Sequence, residues 1–370
     1  MGTGTGWLSQ HVLVRDAESG LLVGATPCYV KSHSAGEYVF DHSWASAYAR
    51  AGGRYYPKLQ CCVPFTPVTG ASNDSRVHVT GADDPLHAGP RLLVHDQAPP
   101  GTSGVLAGGL KALAEAVDAS SVHVTFPSRR EADLLASDSE WLVRSGLQYH
   151  WPNQDYRSFA DFEAALVQKK RKAVRQERKR AAEGLRISRL RGGDLKPRHW
   201  DAFYQFYTDT AERKWGSAYL TREFFDLLGE GLADSCMLVM AETEEPGGGG
   251  TIVAGALNLV GGDAIFGRNW GCRGEWPCLH FEVCYYQAIE EAIACGLQRV
   301  EAGAQGEHKL QRGYLPTLTY STHYVRDPQF RRAVGDFLQR EQAEMERAAL
   351  MLSEEANPYK DLAAGIRSVD

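Results

Sequence analysis

The chain has 370 residues, 43% of them hydrophobic, with 46 acidic against 40 basic side chains and a formal net charge of -6 at pH 7. That length allows two ordinary domains, and the apolar fraction excludes a disordered or fibrous chain. The negative balance excludes binding of polyanions over the whole surface, so any such contact is local, and no apolar run reaches the roughly 20 residues of a membrane helix.

In chain order, Trp7 to Arg15 reads as a strand, Ser19 and Gly20 as a turn, Leu21 to Lys31 as a second strand and Gly36 to Asp41 as a third. Ser43 caps a short helix that Gly52 and Gly53 stop. YYPKLQCCVP is a fourth strand, the Gly-, Asp- and Ser-rich stretch over 71–90 a variable loop, and RLLVHD resumes order. Leu110 to Val117 is helical, SVHVTFP a strand, Arg129 to Ala136 a helix, and Trp141 to Trp151 a closing strand or hairpin. Lys31, His33, Glu37, Asp41 and Lys58 crowd this half with titratable groups, and a shared ligand is one reason for such crowding.

FADFEAALVQKKRKAVRQERKRAAEGLRI opens the second half as one long helix ended by Gly184. Phe162, Leu166 and Val174 keep one face apolar, while Lys169, Arg171, Lys172 and Arg175 belong to a nearly all-positive run. Such a run is either a solvated face or a phosphate- or RNA-binding arm. LRISRL is a strand, HWDAFYQFYTDTAERKWG an aromatic helix, and Tyr219 to Leu228 a further helix. CMLVMAE, IVAGALNLV and AIFGRNWG are three successive strands, with EEPGGGG as a hairpin tip.

Leu279 to Cys295 then has helical spacing, with Gly296 as its left-handed stop. Tyr286, Ile289 and Ile293 share its apolar stripe, and Glu282 falls within it. A carboxylate there is either satisfied by a neighbouring Arg or Tyr, or is an acid or base of shifted pKa. LQRVEAGA is the next strand and carries Glu301. The polar loop QGEHKLQRG follows, holding Gln305, Glu307, His308, Lys309 and Arg312. Functional groups gather at strand C-termini in α/β sheets, so Glu282, Glu301 and this loop are expected to converge on one edge. THYVRD and a helix from Gln329 to about Leu352 finish the fold, with a frayed tail after Asn357.

The halves repeat: strand, strand, helix ending in AGG, then YYPKLQCCVP, against strand, strand, helix ending in ACG, then LQRVEAGA. Two such units imply mixed sheets flanked by helices, and a ligand cleft between copies. The divisions are 1–157, a basic arm over 158–190, and 191–370. The 8 cysteines have no CxxC spacing and no accompanying His pairs, so no metal is expected. They read as reduced residues of a cytoplasmic protein, with a plastid stroma after transit-peptide removal as the alternative.

HSAGEYVFD (33–41), YYPKLQ (55–60), VPFTPVTG (63–70), KKRKAVRQER (169–178), LHFEVCYYQAI (279–289) and EAGAQGEHKLQRGYLP (301–316) resemble a family of predicted N-acyltransferases. That family is labelled peptidoglycan biosynthesis/recognition and is related to the Fem-type aminoacyl transferases. The resemblance covers nearly the whole chain. It implies an α/β (α+β) fold of tandem GNAT-like acyl-CoA N-acyltransferase domains, in line with the repeat. It also implies a helical segment before Gly6, so the first domain is expected to be truncated at its start.

The implied reaction moves an acyl or aminoacyl group from acyl-CoA or aminoacyl-tRNA to an amine acceptor. That needs a proton acceptor near the amine and stabilisation of an oxyanion. Glu282, Glu301, Glu307 and His308, with His280 close behind, are candidates for the first role. Backbone amides near Gly303 and Gly306 are candidates for the second. Arg268, Lys309 and Arg312 suit donor phosphates or an acidic acceptor, and Trp270, Tyr285 and Gln305 line the same region. The loop GCRGEWP lacks the full Gly-rich acyl-CoA signature, which leaves aminoacyl-tRNA open as donor. The basic helix then suits RNA or a nucleotide-linked ligand. The competing expectation is a non-catalytic protein of this fold that recognises an anionic glycan or RNA.

Overall fold

The computed structural model describes residues 4–69, 90–216, 218–244, 250–304, 306–355 and 357–360. The loop expected over 71–90, the hairpin tip over 244–250 and the tail beyond Asn357 fall wholly or largely outside them. The strands are β1 (Trp7–Ser9), β2 (Val12–Arg15), β3 (Leu22–Thr26), β4 (Tyr29–Lys31), β5 (Lys58–Cys61), β6 (Leu93–Val94) and β7 (Ser121–Thr125). The chain continues with β8 (Trp141–Pro152), β9 (Leu185–Arg191), β10 (Cys236–Thr243), β11 (Ile252–Val260), β12 (Ala264–Cys272), β13 (Arg299–Glu301) and β14 (Leu315–Val325). Eleven of them make one mixed sheet in the order β1-β4-β5-β7-β14-β8-β13-β12-β11-β10-β9, and β2-β3-β6 form a small second sheet.

The fold is the mixed α/β arrangement expected, but the halves share one sheet. β14, the last strand of the second half, lies between β7 and β8 of the first. β8 in turn lies between β14 and β13. Each half lends its final strand to the other, so the backbone hydrogen bonds of either sheet close only when both are present. The continuous apolar run of β10 follows from burial on both faces. Met237, Val239 and Ala241 join the core beneath the helix over 279–294, while Cys236, Leu238 and Met240 meet the aromatic helix Pro197–Trp215.

Several elements differ from the sequence reading. Leu21 to Lys31 is two strands, broken at Pro27, which has no N–H for a ladder; β3 enters the small sheet and β4 the large one. Gly36 to Asp41 is a loop and not a strand, with Tyr38 left-handed at φ 59, because Glu37 and Asp41 turn inward to buried lysines. The long helix breaks into Phe159–Ala165 and Gln168–Ala181. At the break Leu166 is extended, and the N–H of Val167 donates to the carbonyl of Pro358 at 2.9 Å. The helix over 279–294 contains a π-helical stretch, Glu282–Tyr286, a local widening often met at functional sites. The loop after β13 winds into a 3-10 turn, Glu307–Arg312, and the final strand starts earlier than expected, at Leu315.

Candidate functional site

The first-half cluster is real but enclosed. Lys31, Glu37, Asp41 and Lys58 are all buried, at 0%, 4%, 1% and 0% exposure. Glu37 bridges the two ammonium groups at 2.6 Å each, and Lys58 also pairs with Asp41. Two cations and two anions balance, as buried charges must. Lys31 sits over the Trp7 ring at 3.5 Å, and burial pushes its pKa down to about 8 despite the pull of Glu37. Burial pushes the Asp41 carboxyl up, but His123 and Lys58 outweigh it and hold it well below the carboxylate range. His33 stands apart, facing the carbonyl of Thr5 and the N–H of Ala35. The cluster therefore holds the 32–41 loop on the sheet and offers no open ligand surface.

The network continues through residues that no spacing rule links. Tyr55 donates to Asp41 at 2.7 Å and lies 3.3 Å from His123 Nε2. His123 and His323 meet Nδ1 to Nδ1 at 2.7 Å, so one ring donates and the other accepts. They are directly paired across β7 and β14. Burial and then Lys58 push His123 down to about 3, so both imidazoles are neutral near pH 7. The strand exchange creates this contact, and nothing local in either sequence segment announces it.

In the second half, Glu282, Glu301 and His308 do not converge. Glu282 faces the basic helix: Arg178 donates to both its oxygens at 3.0–3.2 Å, and Gln287 donates at 2.6 Å. Glu301 accepts from Arg299 Nε at 3.0 Å and from Thr69 Oγ1 and N–H at 2.5 and 3.2 Å. Burial pushes its pKa up, but His150 and Arg299 outweigh this and keep it low. Both carboxylates are thus committed to holding the structure, and neither is placed as a proton acceptor. Arg312 is likewise spent: it pairs with Glu177 and lies 3.3 Å above the Phe281 ring. Arg268 donates to the carbonyl of Phe65. Gln305 and the side chain of Glu307 lie outside the described residues.

What remains is a fork in the sheet. β12 pairs with β13 only from Ala264 to Phe266, opposite Arg299 to Glu301. Beyond that β12 runs on to Cys272 beside β11 alone, with Arg268 as a bulged extra residue between Gly267 and Asn269. Among the described residues, no strand pairs with its other edge beyond Phe266, where the strands separate. On the β13 side, Lys309 Nζ donates to the carbonyls of Ala302 and Gly303 at 2.6 and 3.1 Å. Lys309 is 4% exposed, and no carboxylate among the described residues pairs with its ammonium. Burial pushes it down to about 8.

Trp270, His280, Phe281, Tyr285 and His308 make the wall beside the fork. Trp270 and His280 rings are 4.7 Å apart, and His280 and His308 rings 6.0 Å. Tyr285 Oη meets His308 Nε2 at 3.0 Å. Burial and then His308 push His280 down to about 4, and burial followed by Arg312 and Lys309 lowers His308. Both imidazoles are therefore neutral near pH 7 and able to accept a proton, and His308 is exposed. Gly306 has φ 103, and a Cβ there would lie 2.4 Å from the His308 ring, so only glycine seats the imidazole in this place.

The first half reaches this region through a strap the sequence did not assign. Phe65, left-handed at φ 54, stacks on Tyr219 at 4.6 Å, and Tyr38 meets Tyr219 through their hydroxyls at 2.9 Å. Thr69 closes the strap onto Glu301. The signal was present in VPFTPVTG, whose prolines stiffen an otherwise exposed apolar segment.

On the helix Gln168–Ala181, Val174 and Ala181 are buried. Arg175 pairs with Glu163 at 2.9 Å. Lys169, Arg171 and Lys172 form no ion pair among the described residues, so this end is a cationic outer face. Among those residues, no group of three or more His, Cys, Asp or Glu side chains could hold a metal ion. None of their helices is long and apolar enough to cross a membrane.

A family profile described as FemAB-like, peptidoglycan biosynthesis/recognition, matches residues 1–83 and 84–361. No curated protein matches the sequence. Among solved structures, FemX is 12% identical, covers 90% of this chain and 91% of its own, and superposes with a TM-score of 0.52. L-PGS from Bacillus licheniformis is 13% identical over 67% of this chain and 80% of its own, at 0.45. A tandem GNAT protein of the clavulanic acid biosynthesis pathway is 11% identical over 88% of this chain and 85% of its own, at 0.42. The likeness to FemX is one of fold.

Proposed function

Because the chain belongs to the FemAB-like family of peptidoglycan biosynthesis/recognition proteins, we propose that it is an N-acyl- or N-aminoacyltransferase acting at the fork between β12 and β13. The observation that carries this reading is Lys309: a buried ammonium without a carboxylate partner among the described residues, placed where two strands part. The donor carbonyl lies along the free edge of β12. Its oxygen gathers charge as the amine attacks, and the edge N–H groups and Lys309 stabilise it. The new C–N bond forms as the C–S bond of acyl-CoA or the C–O bond of aminoacyl-tRNA breaks. The amine proton passes to His308, which Tyr285 holds, and from there to the leaving group or to water.

The donor is aminoacyl-tRNA or acyl-CoA, and the acceptor is an amine on a small molecule or peptide of the peptidoglycan-precursor type. The cations Lys169, Arg171 and Lys172, which form no ion pair among the described residues, favour a phosphate-rich ligand, by salt-sensitive contacts. Under this reading the chain divides into 1–157, the arm over 158–190 and 191–370, and the reaction runs in the cytoplasm or a plastid stroma. The same cations favour the second reading, a non-catalytic protein that recognises an anionic glycan or RNA. A thermal-shift screen with acetyl-CoA, longer acyl-CoAs, bulk charged tRNA and an anionic glycan separates the two. Stabilisation by an acyl-CoA, or by charged tRNA beyond that given by uncharged tRNA, retained in His308→Ala, supports the transferase. Stabilisation by the glycan alone overturns it.

A further inference from the structure

Glu177 is the single acidic residue between Lys169 and Arg180, and it is turned inward. Its Oε1 accepts from Arg312 Nη2 at 2.6 Å, and its Oε2 from Arg312 Nε at 3.0 Å and from Tyr286 Oη at 2.5 Å. Arg312 closes the 3-10 turn Glu307–Arg312, and its Nη1 donates to the carbonyl of His308 at 2.6 Å. Tyr286 ends the π-helical stretch that carries Tyr285. One carboxylate from the basic helix therefore fastens both elements that meet at His308.

We infer that Glu177 is a positioning residue, which holds Arg312 so that the 306–313 turn presents His308 and Lys309 to the fork. The turn needs an outside clamp. Gly306 and Gly313 flank it with φ 103 and 93, conformations that glycine leaves without needing to overcome a side-chain barrier. Besides the bonds inside the turn, its backbone is tied by Lys309 to Gly306 at 3.0 Å, Gly313 to Leu310 at 3.2 Å and Tyr314 to Lys309 at 3.3 Å, all of them within 306–314. The helix itself does not need Glu177 for docking. Arg178, one residue on, anchors it to Glu282 and Glu290. Two adjacent residues thus have separate tasks: Arg178 seats the helix, and Glu177 sets the turn. The purpose assigned to the clamp rests on the transferase reading; its existence does not.

Hydrogen exchange followed by mass spectrometry on the full chain tests it. In Glu177→Gln, amides of the peptide over 306–314 are expected to exchange about tenfold faster or more, since a bidentate charged pair is lost. Peptides over 168–181 are expected to keep their protection. Glu290→Gln, which breaks an ion pair of Arg178, leaves 306–314 unchanged, and Arg312→Lys reproduces the Glu177→Gln pattern in part. Where a donor gives turnover, kcat falls about tenfold in Glu177→Gln with KM held within about twofold, because His308 is misplaced and not removed. Unchanged exchange over 306–314 in both Glu177→Gln and Arg312→Lys overturns the inference. So does equal loosening of the basic helix. Faster exchange in a protein that transfers from neither donor leaves the clamp standing and rejects the transferase reading instead.

Discussion

Replacing Lys309 by Met keeps the length and shape of the side chain and removes its charge. Burial lowers the ammonium from its ordinary 10.5 to about 8. At 1.36 kcal/mol per pH unit this is a cost of roughly 3 kcal/mol to the folded state at pH 7. The two charge-assisted hydrogen bonds to the carbonyls of Ala302 and Gly303 favour the charged form and are already inside that net figure. Lys309→Met removes the net cost together with those bonds, so it is expected to unfold within about 2 kcal/mol of the wild type at pH 7. The pH dependence separates them. Between about 8 and 10.5 the unfolded chain holds a proton on this amine that the folded chain has lost, so wild-type stability gains with rising pH. The variant lacks that gain. Urea denaturation at pH 7, 8, 9 and 10 should show the wild type improving relative to the variant by most of that roughly 3 kcal/mol. Parallel stability curves for the two proteins would refute the claim that an unneutralised cation lies at the fork.

Three further outcomes follow from the same reasoning. Lys58→Met leaves Glu37 and Asp41 buried with only Lys31 to balance them, and urea denaturation at pH 7 should show a loss of about 3–5 kcal/mol. His123 titrates at about 3 when folded and at its ordinary 6.5 when unfolded. The unfolded chain therefore binds the extra proton between those values, and stability falls as pH drops through this window; His123→Gln should flatten that part of the curve followed by circular dichroism. Separate expression of 1–157 and 158–370 should give no cooperative unfolding transition from either piece, and mixing should restore one, because β14 lies between β7 and β8.

The sequence carried the large pattern well, since apolar periodicity and glycine stops are local signals. The basic segment, the helix after Cys278 and the polar loop after β13 were legible, while the repeat was legible only in part, because Gly36 to Asp41 is a loop and the basic segment is two helices. Glu282 illustrates what was only half legible. Its burial followed from its place among Tyr286, Ile289 and Ile293, but its partner, Arg178, comes from another helix, and periodicity says nothing of partners. Glu301 is similar: its strand was evident, while Thr69, which bonds it, lies 232 residues away. The Gly36 to Asp41 segment looks extended because its residues favour strands, yet the charge of Lys31 and Lys58 folds it inward. Exchange of β8 and β14 has no local signature at all, and with it the His123–His323 contact was out of reach. His308 and Lys309 stood out as candidates, because a glycine-bounded run of titratable residues after a strand is unusual for mere solvation; their role in transfer is the proposal made above.

Transfer itself is the most direct measure of the central claim. Carbon-14-labelled acetyl-CoA and a carbon-14 aminoacylated tRNA pool are each incubated with a lysine-bearing muropeptide, and label on the peptide amine is counted in single turnover. Wild type is expected to transfer from one of the donors, and His308→Ala to be slower by about 10²–10⁴-fold at an unchanged Tm. Equal rates in the two proteins, or no labelled peptide from either donor, would contradict the account.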